Sequence, residues 1–264
     1  AAQDVRAVIG DSSLTPDSGA VAASRATSLV HRALQSGGGP FVTALCERAG
    51  RRLGCAASSL RLGPGGFYPA GASACLPAER RLSLAELARD LAPADLPVQI
   101  VDLPADETPS EIPGAHHVFG ACAALAQVAL DTWSGAIRLE RLLVASALGP
   151  VVSAQGYLGQ IEGGALMGAG MVLTEDLPMV QGRYQSRNLD GYLMPTLADA
   201  PVCEVIAVTN TWPGDTVGPR GAGEIGVNIG ATAVANAISK VIGHPVRRLP
   251  VRPDDMLDLL EQAS

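Results

Sequence analysis

The sequence predicts an α+β fold in two lobes, and three observations carry that reading. Strand-like and helix-like segments are mixed without strict alternation. Two alternating runs, 121–130 and 136–147, flank Asp131-Thr132-Trp133-Ser134-Gly135 and spell a long hairpin. A stretch rich in Pro and acids, 92–115, reads as an exposed connection ahead of that hairpin. The lobes are therefore expected at 1–115 and 116–264.

Each element has its own signal. Val5 to Gly10 reads as a short strand, and the turn-rich segment to Gly19 follows it. A helix fits 20–35, stopped by Gly37-Gly38-Gly39-Pro40, with a second helix at 41–52. Residues 55–68 fit two strands around Gly63-Pro64-Gly65-Gly66. Leu82 to Ala88 fits a helix with Ser83 as N-cap and Glu86 completing a capping box. A strand is expected at 98–101 inside the connection and another at 202–208, with helices at 155–172, 230–242 and 254–262. The helix at 155–172 holds six glycines, Gly156, Gly159, Gly163, Gly164, Gly168 and Gly170. Each costs about 1 kcal/mol relative to Ala, so close backbone packing is the expected reason for them.

Bulk composition narrows the function. The 264 residues are 47% hydrophobic but only 3% aromatic, so the core must be built from Ala, Val, Leu and Ile. Charged residues are sparse at 17%, which implies that much of the surface faces a partner. The net charge is -7 and no Lys/Arg stripe occurs, which excludes a nucleic-acid footprint. No apolar run of about 18 residues is apparent, so no membrane span is expected. No basic flank precedes an apolar segment at the start, so no signal peptide is expected and the compartment is read as cytoplasmic. A chain that opens directly on a strand suggests a fragment, a processed chain or a split subunit. Five cysteines at wide spacing, with no C-x-x-C, give no zinc or iron–sulfur site held by this chain alone. The adjacent His116 and His117 diverge in an extended chain, so an ordinary loop is expected there.

Four segments carry chemistry. Gly218-Pro219-Arg220-Gly221-Ala222-Gly223-Glu224-Ile225-Gly226 places a carboxylate on a Gly-rich turn ahead of a helix. Such turns let a large ligand approach the backbone. A tight loop whose Glu only faces solvent fits the same residues. Gly159-Gln160-Ile161-Glu162-Gly163-Gly164 offers an amide, both donor and acceptor, on a Gly-rich helix. Gly10-Asp11-Ser12-Ser13-Leu14-Thr15-Pro16, followed by Ala22-Ala23-Ser24-Arg25-Ala26-Thr27, gives a turn and a small-residue helix start, which is either an anion site or an ordinary capped helix. Phe119-Gly120-Ala121 leads into the long hairpin.

Together these segments resemble the molybdenum hydroxylases, the family of xanthine dehydrogenase and aldehyde oxidase. The likeness is to the C-terminal molybdopterin-binding portion of their large subunit. It runs nearly the whole chain in the family's order, closest at 159–170 and 218–250 and weakest at 37–115. It implies the second molybdopterin-binding domain of xanthine dehydrogenase type. It also implies a subunit that helps oxidise an aldehyde or an N-heterocyclic carbon with oxygen from water. Glu224 falls on the family's catalytic base, Gln160 on the amide that binds the pterin, and Arg220 and Gly223 on their neighbours in the Glu motif. Ala23, Ser24 and Ala26, with Gly120 and Ala121, fall on positions that wrap the cofactor. The implied cofactor is molybdopterin, either as such or as its cytosine dinucleotide.

The resemblance also implies what must come from elsewhere. Family cofactor subunits are about three times longer. Partner chains are expected to supply the N-terminal molybdopterin domain, the iron–sulfur clusters and FAD. Upstream of Gln160 the family carries Asp-Gly and Ile-Asn-Pro, whereas this chain reads Ala147-Leu148-Gly149-Pro150-Val151-Val152-Ser153-Ala154. That difference keeps an alternative open: a structural or repurposed relative without molybdenum, acting as a complex-forming partner or as a cofactor-free acid–base enzyme.

Overall fold

The computed structural model describes residues 2–19, 22, 24–70, 81–103, 120–209 and 218–262. They form two compact units, one of Ala1–Ala20 with Leu29–Glu107 and one of Val21–Ser28 with Thr108–Ser264. Residues 21–28 thus group with the second unit rather than with the rest of 1–115. The expected boundary at 115/116 lies outside the described residues, as do Phe119, His116, His117 and Ala23.

In the first unit, residues 5–10 are not a strand, because no described neighbour pairs with their backbone. The expected helix break is also absent. One helix, α1 (Ala26–Leu53), runs through the three glycines and Pro40. Pro40 removes only one backbone donor. Gly37 stays small because a Cβ there would lie 2.6 Å from Val101 Cγ2. The segment 98–101, expected as a strand, carries no strand pairing; it lays Gln99 and Val101 against α1 instead. Strands β1 (Leu60–Gly63), β2 (Gly66–Pro69) and β3 (Leu82–Ser83) form an antiparallel sheet in that order. Pro64 and Gly65 turn β1 into β2, with Gly65 at φ +72°, as a turn of this kind requires.

Helix α2 (Leu84–Asp90) starts on the expected capping box: Ser83 Oγ accepts from Glu86 N–H, and Glu86 Oε2 accepts from Ser83 N–H. The Ser83 hydroxyl and backbone amide hold the Glu86 carboxyl below its usual value. Cys46, Ala49, Phe67, Leu82 and Leu87 form the core of this unit.

The second unit is a three-stranded sheet with two helices on one face. Strands β4 (Ala121–Leu130) and β5 (Ile137–Ala147) make the expected hairpin, with a register shift between Gln127 and Val128. After β5 the chain crosses through α3 (Ala154–Leu173) and a short hairpin, β6 (Met179–Val180) with β7 (Arg183–Tyr184). It returns as β8 (Val202–Ala207), parallel to β5, giving the order β4-β5-β8. Helix α4 (Ile225–Ile242) packs on α3 and β4, and α5 (Pro253–Gln262) follows it. The sequence predicts the start of α4 at 230; the structure starts it five residues earlier, at Ile225, because its first turn includes Gly226 and Gly230 lies within it.

Close helix packing accounts for several of the glycines. A Cβ on Gly226 would meet Ile161 O at 2.6 Å, and one on Gly230 would meet Ala165 O at 2.6 Å. A Cβ on Gly168 would lie 2.7 Å from Ala231 N. The backbones of α3 and α4 therefore touch where these glycines face each other. By contrast, a Cβ on Gly159 or Gly163 would meet nothing within 4 Å. The core is aliphatic, as composition demands: Leu139, Val172, Val234, Ile238 and Ile242 at one end, and Leu142, Val144, Leu148, Ile161 and Ala165 at the other.

Length and composition alone would let α4 cross a membrane, against the expectation of no such helix. Its Gly226, Gly230, Ala233, Val234, Ile238 and Ile242 are buried, forming the face that packs on α3 and β4.

Candidate functional site

Three separate segments meet at the paired N-terminal ends of α3 and α4. Ser153 caps α3, its hydroxyl accepting from Gly156 N–H at 3.2 Å. One turn on, the Tyr157 hydroxyl lies 2.7 Å from the Ser146 hydroxyl, which is fully buried in β5. This bond ties the start of α3 to the sheet and fixes the next turn, which carries Gln160. Gln160 is exposed, between Gly159 and Gly163, whose missing side chains leave the helix backbone open.

The loop before α4 is held from below. Arg220 is buried, and its backbone N–H donates to Leu148 O at 2.9 Å. Its guanidinium donates to Gly218 O at 3.2 Å. Gly149, at φ +73°, has no Cβ because one would lie 2.5 Å from Gly218 O. Arg220 is thus a structural pin of the loop as well as a neighbour of Glu224. Glu224 is the N-cap residue of α4, makes no capping hydrogen bond with its side chain, and is exposed. A helix start favours negative charge, so a carboxylate or a bound anion suits this place.

Ser24 completes the cluster. Its hydroxyl donates to Glu224 Oε2 at 3.3 Å. A Cβ on Gly223 would lie 2.9 Å from Ser24 Oγ and 3.5 Å from Gln160 Oε1, so Ser24 and Gln160 both lie against Gly223, next to Glu224. Gly120 lies against Leu148 and Ile225, the residue after Glu224: a Cβ there would lie 2.2 Å from Leu148 Cδ2 and 3.4 Å from Ile225 Cδ1. Ala121 is exposed and pairs with Ala147 at the start of the hairpin, and Ala26 is exposed as the first residue of α1. Ala26 thus stands two residues after Ser24, and Ala121 directly follows Gly120.

Among the described residues no group of three His, Cys, Asp or Glu could hold a metal ion. A metal placed here would have to bring its main ligands with it. An open helix backbone, an amide and a helix start suit a large, polar, anionic group of that kind, with the Glu224 carboxylate beside it as a proton acceptor rather than as a binding group. Burial pushes the thiols of Cys122 and Cys203 up, and Glu162 adds to the effect at Cys203, so neither is disposed to act as a thiolate.

A cavity of about 940 Å³ opens elsewhere in the same unit, beside the C-terminal half of α3 and the first residues of β5. Leu139, Leu166, Leu173 and Val251 line it, and none of the sequence-predicted residues does. Sequence reasoning misses the roles of Tyr157 and Ser146, whose contact joins the start of α3 to β5. Ser153 was legible in principle, as a Ser three residues before a Gly at a helix start.

Residues 1–201 match the molybdopterin cofactor-binding domain family. The chain belongs to that family. Among curated proteins, this molybdopterin-binding chain is 37% identical over 263 residues to a probable xanthine dehydrogenase subunit of Bacillus subtilis, covering 99% of the chain and 34% of the relative. The chain thus spans about a third of the length of that relative. Among solved structures it resembles a copper- and molybdenum-containing CO dehydrogenase, with a TM-score of 0.75 at 18% identity, over 96% of this chain and 31% of the other. It also resembles quinoline 2-oxidoreductase from Pseudomonas putida, with a TM-score of 0.65 at 20% identity, over 85% of this chain and 28% of the other. These likenesses establish the α+β molybdopterin-domain fold that the sequence predicts.

Proposed function

We propose that the chain forms one wall of a molybdenum-cofactor site in a multi-subunit hydroxylase that oxidises an aldehyde or an N-heterocyclic carbon with oxygen from water. The observation that carries this reading is the meeting of Ser24, Gln160 and Glu224 at Gly223. When bound, the cofactor supplies the redox centre. Gln160 would hold its pterin through an amide that donates and accepts at once. Ala23, Ala26, Gly120 and Ala121 would line its path, Ser24 would stand at its edge with its hydroxyl on Glu224, and Arg220 and Gly223 would set the loop. Glu224, exposed at the helix start, would accept the proton released as water-derived oxygen is transferred.

We propose that an N-terminal molybdopterin-domain chain, an iron–sulfur chain and an FAD chain complete the enzyme, as the family likeness implies. The sheet face away from α4 carries Leu125 opposite Leu143, and Ala145 beside the exposed Ile206, an apolar strip that suits a protein partner. We place the complex in the cytoplasm.

The reading predicts that Gln160→Ala lowers molybdenum content while the melting temperature of cofactor-free complex stays at its wild-type value. A buried hydrogen bond to a polar ligand is worth about 1–3 kcal/mol, enough to deplete the cofactor. Exposed in the cofactor-free chain, the amide contributes little to the fold. Unchanged molybdenum occupancy would refute the role. A relative without molybdenum remains a second reading, favoured by the absence of the family's Asp and Asn-Pro from 147–154. Turnover retained in a complex free of molybdenum would select it.

A further inference from the structure

Resting on the reading of Glu224 as the base, we infer that Ser24 is its positioning residue: its hydroxyl holds Glu224 Oε2 and leaves Oε1 to take the proton. The backbone shows that this place is built. Ser24 lies at φ +55°, and among the described non-glycine residues only Gln181 shares that region. Gln181 sits in the two-residue turn between β6 and β7, where positive φ is demanded. Ser24 sits in no hairpin, and Gly would adopt its φ more readily. The acceptor its hydroxyl finds is the Glu224 carboxylate, at 3.3 Å.

The Glu loop is shaped around this residue. A Cβ on Gly221 would fall on the Ser24 carbonyl oxygen and lie 2.5 Å from Ser24 Cβ. A Cβ on Gly223 would press on Ser24 Oγ at 2.9 Å. Two of the motif's glycines therefore make room for Ser24 itself, quite apart from any ligand. Glu224 receives no other orienting bond from its own helix, since its side chain caps nothing. A three-torsion side chain at an exposed helix start has many rotamers, and one donor on one oxygen selects among them.

The test uses the full complex. Ser24→Gly keeps the left-handed backbone and removes the hydroxyl. It is expected to lower kcat about tenfold, with KM within about twofold and molybdenum per complex unchanged. In its crystal structure the Glu224 carboxylate should spread over more than one rotamer. Ser24→Asn tolerates the same backbone and restores a donor, so it should recover most of kcat. Molybdenum falling in step with kcat in Ser24→Gly would overturn the inference, since Ser24 would then hold the cofactor and not the base. So would a kcat within twofold of wild type while Glu224→Gln is inactive, which leaves the base reading standing. Full turnover in Glu224→Gln would remove the base reading and this inference with it.

Discussion

Glu224→Gln is expected to keep assembly and molybdenum content while losing turnover by about 10²–10⁴-fold, the usual cost of removing a general base. Gln preserves size and can still accept from the Ser24 hydroxyl, so the loop around 221–224 should stay in place. It cannot take up a proton. Stability gives a clean control. Glu224 is exposed and caps nothing, so the change should move unfolding by less than about 0.5 kcal/mol. Steady-state kinetics beside metal analysis separate the two effects. At least a tenth of wild-type turnover in a fully metallated complex would exclude Glu224 as the base, while the cofactor-binding role of the chain could stand.

The largest effect on stability is expected where α3 and α4 touch. Gly230→Val should destabilise the second unit by about 3 kcal/mol or more, because its Cβ would meet the backbone carbonyl of Ala165 at 2.6 Å and neither helix can give way alone. Gly163→Ala lies on the same helix as Ala165 but meets nothing within 4 Å. It should stabilise cofactor-free complex by up to about 1 kcal/mol, the ordinary gain of Ala over Gly in a helix. If Gly163 leaves the backbone open to a ligand, that gain should come with lower molybdenum occupancy. Denaturant unfolding of both variants reads the contrast. Equal effects at the two positions would mean that the glycines are not divided between helix packing and an open face.

Much of this division was legible in the sequence. Six glycines in one predicted helix demanded close packing, and for Gly164 and Gly168 a neighbouring backbone supplies it. The capping box at Ser83 and Glu86 and the hairpin around 131–135 followed from local chemistry, and both are present. Local signals misled where tertiary contacts decide. Gly37 to Pro40 reads as a helix stop, yet α1 continues, with Gly37 lying under Val101. Residues 5–10 have the Val- and Ile-rich composition of a strand, but a strand also needs a partner. Glu224 and Gln160 stand in motifs that single them out from the sequence alone. The Ser24 hydroxyl on Glu224 joins residues 200 apart and has no local signature.

Molybdenum and iron, measured together in the intact complex that carries this chain, test the central claim most directly. About one molybdenum per copy of the chain is expected, with iron following the copurified iron–sulfur chain and not this one. Turnover should scale with molybdenum across preparations. A pure, active complex with no molybdenum would contradict the account and leave a fold whose old cofactor site serves another chemistry.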